Sequence, residues 1–113
     1  MPSKTSVLYW KEIPVQVKSE DADNTVSLPL DHRFQEAADA VAMMDGSYGS
    51  DAYLDAWQWG DATESELDAE TAAQQLAERI NDGMPDDFVS RIRDLHDAGD
   101  RVEEPGAIDH WVE

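Results

Sequence analysis

The order of apolar and polar positions changes its period once along the chain. Residues 5–18 alternate in short β-branched and aromatic runs, Val7-Leu8-Tyr9-Trp10 and Val15-Gln16-Val17-Lys18, on either side of Pro14. Proline cannot donate to a β-ladder, so Pro14 belongs at a bend or an edge. A polar turn, Ser19 to Asn24, precedes Thr25-Val26-Ser27-Leu28, where the alternation resumes. This pattern predicts a β-hairpin, or a three-stranded meander if the first run pairs as well. Lys11 and Lys18 are expected to blunt its edges.

From Asp31 the period becomes that of a helix. Asp31 is placed to cap a helix with Phe34, Ala37, Ala38, Val41, Ala42 and Met44 on one stripe, ending at Gly46. Ser50 is placed to cap a short helix from Asp51 to about Trp57, with Tyr53, Leu54 and Trp57 on one side. Residues 58–66 read as irregular or a short strand. Asp68 caps a third helix with Ala72, Ala73, Leu76, Ala77 and Ile80 inward, ending at Gly83; a fourth follows Pro85 with Phe88, Val89, Ile92 and Leu95 inward, closed by Gly99. The fold class is therefore α+β, a small antiparallel sheet followed by about four short packed helices. Residues 1–99 form one domain and 100–113 an acidic tail. Phe34, Val41, Leu54, Leu76, Ile80, Phe88, Ile92 and Leu95 are expected in the core. In the tail, Arg101, Glu103, Glu104 and Asp109 favour water, while Val102, Ile108 and Trp111 are costly to expose together. Trp111 is expected to fold back, over the fourth helix.

Charge narrows the function classes. Eight basic residues face 26 acidic ones over 113 residues, a formal charge of −18, with 16 Asp, ten Glu and only three Lys. Self-repulsion of that size destabilises a compact chain in dilute salt, whereas at molar salt the Debye length falls to about 3 Å. This is the composition of a protein from a salt-saturated cytoplasm, and most of its carboxylates hydrate the surface. Nucleic acid is set aside as a partner, because residues 19–113 offer five Arg against 25 acids. No apolar run approaches the roughly 20 residues of a membrane span, and no signal-peptide stretch follows Met1, so the expected location is cytoplasmic. The chain has no cysteine, which removes disulfides, thiolate metal sites and cysteine nucleophiles.

Catalytic candidates are weak. His32, His96 and His110 show no metal-ligand spacing, and His96 in Asp94-Leu95-His96-Asp97 reads as a cation ending a helix. Gly46-Ser47-Tyr48-Gly49-Ser50 lacks the lysine and spacing of a phosphate loop. No cofactor and no metal is implied. The aromatics are more informative: Tyr9, Trp10, Trp57, Trp59 and Trp111 are large rings for so small a core. Rings of this kind anchor interfaces, and the expected reading is an exposed face near Tyr9, Trp10, Trp57 and Trp59 that docks a protein partner. In an extended segment Trp57 and Trp59 face the same way.

The segment Val7-Leu8-Tyr9-Trp10-Lys11-Glu12-Ile13-Pro14-Val15-Gln16-Val17 resembles the opening of the small "virulence factor" domain. Residues 30–43 and Ser50-Asp51-Ala52-Tyr53-Leu54-Asp55-Ala56-Trp57 are similar to it too, and the resemblance covers roughly residues 6–95. That domain occurs alone in bacteria and archaea and at the end of longer conserved-virulence-factor-C-like proteins. There it accompanies a scaffold module resembling those of iron–sulfur assembly. The resemblance implies an accessory role beside another protein and transfers no catalytic residue. The expected function is a non-enzymatic interaction module of a halophile, monomeric or a small oligomer. The alternative is an accessory subunit in redox, iron–sulfur or one-carbon cofactor metabolism, completing a site with another chain.

Overall fold

The computed structural model describes residues 2–112. Strands β1 (Ser3–Trp10), β2 (Ile13–Glu20) and β3 (Thr25–Pro29) form the expected meander. Helix α1 (His32–Asp45) and the one-turn helix α2 (Asp51–Asp55) follow. Two short strands then add to the sheet, β4 (Trp57–Trp59) and β5 (Thr63–Ser65), before α3 (Ala69–Gly83) and α4 (Phe88–Ala98). The sheet is antiparallel, ordered β3-β2-β1-β4, with β5 also pairing with β1. The stretch 58–66, expected to hold at most one short strand, thus supplies most of β4 and all of β5.

Alternation along β1 divides the sheet into two faces. Ser3, Thr5, Val7 and Tyr9 are buried and point inward, while Lys4, Ser6 and Leu8 retain solvent on the outer face. The inward hydroxyls of Thr5 and Ser19, on paired strands, satisfy each other at 2.9 Å. Pro14 sits where the β1–β2 register slips between Leu8 and Tyr9, so its missing donor falls at a bulge. Helix α3 lies across β1, β2 and β3, and α1 packs between β2 and α4. Phe34 and Phe88 meet at 5.3 Å in a single core that also takes Val17, Val41, Ala73, Ile80 and Ile92. The Arg33 guanidinium lies over both rings and donates to the carbonyls of Asn81 (2.6 Å) and Met84 (3.0 Å), closing the end of α3.

The helix ends agree in part with the sequence. Gly46 and Gly99 take the left-handed conformation that terminates α1 and α4. Asp68 caps α3 by accepting from the Thr71 N–H at 3.0 Å. Asp31 and Ser50 do not cap through their side chains: Asp31 gives its N–H to Asn81, and the Ser50 hydroxyl donates to the Ser47 carbonyl. Helix α2 stops at Asp55 because the chain turns there to pair with β1. Lys11 and Lys18 guard no edge, since β1 and β2 are interior strands and the edges are β3 on one side and β4 with β5 on the other.

Candidate docking surface

Of the five expected anchor residues, two are core. Trp10 is fully buried: α2 covers it, its indole N–H donates to the Tyr53 carbonyl at 2.9 Å, and the two rings lie 5.7 Å apart. Tyr9 alternates onto the inward face and donates its hydroxyl to Asp109 at 2.7 Å. Burial, and then that carboxylate, push the phenol's pKa up. Gly60 passes so close that a Cβ there would stand 2.8 Å from the Tyr9 ring, a backbone approach only glycine allows. The expected exposed face therefore loses Tyr9 and Trp10, because inward alternation claims one and α2 the other.

What remains exposed lies mostly between residues 43 and 59. Met43, Tyr48, Leu54 and Trp59 are four of the six large apolar side chains left to solvent among the described residues. Leu54, expected in the core, is 68% exposed. One turn of helix can bury only one side, and in α2 that side is Tyr53. Tyr53 stacks edge-on with Tyr48 at 5.8 Å and with Trp57 at 6.3 Å, and its hydroxyl donates to Asp39 at 2.7 Å. Tyr48, Tyr53 and Trp57 thus form a continuous aromatic ridge, with Leu54 projecting beside it. Strand β4 carries Trp57 and Trp59 on one face, as expected. Trp59, opposite Leu8 and 43% exposed, lies under the Lys18 ammonium at 4.7 Å. Trp111 belongs instead to the helix layer, half-buried with the Arg91 guanidinium 5.5 Å over its ring.

The ridge stands on a set of buried charges that the sequence did not announce. Lys11, in the two-residue β1–β2 turn, has φ 51, a left-handed conformation that costs a non-glycine residue about 1–2 kcal/mol. Its N–H reaches the Ala56 carbonyl at 3.2 Å, tying the turn to the end of α2. Its ammonium donates to Asp45 (2.6 Å), Glu103 (2.8 Å) and the Ser47 hydroxyl (3.0 Å). Arg101 grips Glu12 with two hydrogen bonds, 2.7 and 2.8 Å, and donates to Asp45 at 3.0 Å. The Arg101 and Glu12 side chains are only 4% and 1% exposed, so Arg101 does not favour water. Burial works against the charge of Asp45, yet hydrogen bonds from Lys11, Ser47 and Arg101 hold its pKa down at about 2. Lys11 draws Glu103 below the usual carboxylate range. Ile108 is buried in the core, so the tail's apolar and charged residues both fasten it to the domain. A buried acid after a turn Lys, with its Arg partner 89 positions on, carries no local signature.

His32 opens α1, His96 lies in the last turn of α4 and His110 in the 3-10 turn Asp109–Trp111. Among the described residues no group of three or more His, Asp or Glu is placed to hold a metal ion. No helix among the described residues is long and apolar enough to cross a membrane. The fold and its surface define a small α+β domain with an exposed aromatic ridge at one end of its sheet. The chain belongs to the Virulence factor family, whose model matches residues 8–93. The match takes in the end of β1, all of β2 and β3, the ridge and most of the helices, and the segment carrying Arg101 and Ile108 lies beyond it. No curated protein and no solved structure matches the chain.

Proposed function

We propose that this chain is a non-enzymatic protein-interaction module of the virulence-factor domain type, adapted to a salt-rich cytoplasm and docking a protein partner through its aromatic ridge. The observation that carries this reading is the exposure of Tyr48, Leu54 and Trp59 beside the half-buried Trp57, in a chain otherwise coated with carboxylates. Aromatic side chains on a firm base lose little entropy on docking and supply most of the energy of an interface. The Lys11–Asp45 pair and the Lys11–Ala56 bond hold that base. The test is co-purification from native cells in molar KCl. A stoichiometric protein partner retained by the natural chain and released by Trp59→Ala or Leu54→Asp supports the proposal. A partner indifferent to both substitutions overturns it. Adaptation to salt has its own measurement: thermal melts from dilute to molar KCl should rise as the −18 charge is screened. A flat or falling midpoint removes that part of the reading.

A further inference from the structure

The outer face of the sheet differs in charge from the chain as a whole. Its outward strand positions carry Lys4 and Lys18 against Glu20 and Glu64, and not one of the 16 aspartates. Register sets these four side by side: Lys4 pairs across the strands with Glu20 and with Glu64, and Lys18 approaches Glu20 at 3.5 Å. Leu8 and Trp59, also paired, give the face an apolar centre. A chain of net charge −18 thus presents one face that sums to zero, with two bases, two acids and an aromatic ring.

We propose that this face docks a second copy of the same chain, sheet against sheet about a two-fold axis. The proposal rests on the reading of the ridge as an interaction surface and names one occupant for its sheet side. A two-fold contact places one patch against itself, so charges on that patch must come in both signs to be matched, as they do on this face. Elsewhere the acidic coat repels a like chain. Packed sheets stand about 10 Å apart with their side chains interleaved, and Trp59 of each copy would cover Leu8 of the other. A stable dimer buries about 800 Å² per partner. Four strands at about 4.8 Å spacing and five residues at about 3.4 Å give a footprint of roughly 20 by 17 Å. That is roughly 340 Å² of flat area before the side chains are counted, under half of what a stable dimer buries, and Trp57, on the same face of β4 as Trp59, extends it. Screening of the remaining acids favours the dimer as salt rises.

Sedimentation equilibrium of the full chain from 10 µM to about 1 mM, in 0.1 and 3 M KCl, tests this. The expected result is a mass that doubles with concentration, at lower protein concentration in 3 M salt. Lys18→Glu, which makes the face acidic, and Trp59→Ala should each raise the dimer dissociation constant at least tenfold. Circular dichroism in the same buffers confirms that each variant is folded. Should Trp59→Ala fail to fold, the partly exposed Lys18 position decides. A single-chain mass throughout, or a dimer unmoved by both substitutions, overturns the proposal. A monomer that still loses a different protein partner on Trp59→Ala would overturn the dimer alone and leave the docking reading standing.

Discussion

The molecule uses one trio of side chains twice, with opposite outcomes. At the β1–β2 turn, the Lys11 ammonium lies 5.0 Å from the Trp10 ring and Glu12 is next in the chain. On the outer sheet face, Lys18 lies 4.7 Å from Trp59 and 3.5 Å from Glu20. The first trio is closed over: Trp10 and Glu12 are buried, and Arg101, Asp45 and Glu103 arrive to neutralise what burial leaves charged. The second is open, its ion pair in water and its ring 43% exposed. The difference comes from segments distant in sequence, because α2 and the residues after α4 fold over one end of the sheet and not over the other. A lysine over a tryptophan therefore says little by itself. What covers it decides whether it is a structural clamp or an available surface.

The sharpest way to break the contrast is to remove the arginine. Arg101→Ala leaves Glu12 buried without its partner and Asp45 with Lys11 alone, and breaking a buried pair in this way costs about 3–5 kcal/mol. Chemical denaturation in molar KCl should show that loss. A cost below about 1 kcal/mol would mean that the cluster is hydrated and that its burial contributes little. The equivalent change on the open face, Glu20→Gln, should leave stability within about 0.5 kcal/mol, as exposed pairs do.

This asymmetry also marks how far the sequence could be read. The meander, the caps at Asp68, Gly46 and Gly99, and the burial of Phe34, Val41, Ile80, Phe88 and Ile92 follow from period and local chemistry, and all are present. Leu54 was misplaced because a five-residue helix is too short for its apolar stripe to define a face. Leu76 and Leu95 lie on the expected stripes but at their margins, and stay partly exposed. Tyr9 and Trp10 look like interface residues in a list of aromatics. Only the sheet register and the path of α2 show that they are core. The buried cluster is beyond reach for a similar reason: Glu12 and Arg101 meet across 89 positions, and among 26 acids nothing distinguishes Glu12 and Asp45 as those whose side chains are buried.

The next effect tests whether the C-terminal segment belongs to the closed region. Truncation after Gly106 removes Ile108, which is buried, and Asp109, which accepts the Tyr9 hydroxyl bond. Loss of a buried isoleucine and one hydrogen bond should cost about 2–5 kcal/mol and lower the melting temperature at high salt. An unchanged melt would detach the segment from the domain's stability.

Acid acts on the same region by a smaller amount. The folded-state pKa of Asp45 is depressed to about 2 from 3.8. Its contribution is therefore complete above the unfolded value near 3.8 and is lost as the pH falls toward 2. Glu103, lowered from 4.5, extends the same loss to slightly higher pH. Asp45→Asn should flatten the acid limb of a stability–pH profile between about pH 4 and 2, while the same change at exposed Asp61 should not. Identical limbs in the two variants would show that the cluster does not hold Asp45 in its charged form.

The smallest expected effect is the one that gives the open region its meaning. Leu54 is 68% exposed, so its side chain contributes little to the folding of an isolated chain. Leu54→Ala should change stability by less than about 0.5 kcal/mol, since surface substitutions away from caps and buried networks usually do. A polar residue at this position would suit an acidic, hydrated surface better. If Leu54→Ala leaves the melt unchanged at protein concentrations below any association, the exposed side chain has no role inside the monomer. A loss of 2 kcal/mol or more under those conditions would place Leu54 in the folded core's energetics after all. The ridge would then be an edge of the core, and the contrast between the closed and open ends of the sheet would disappear.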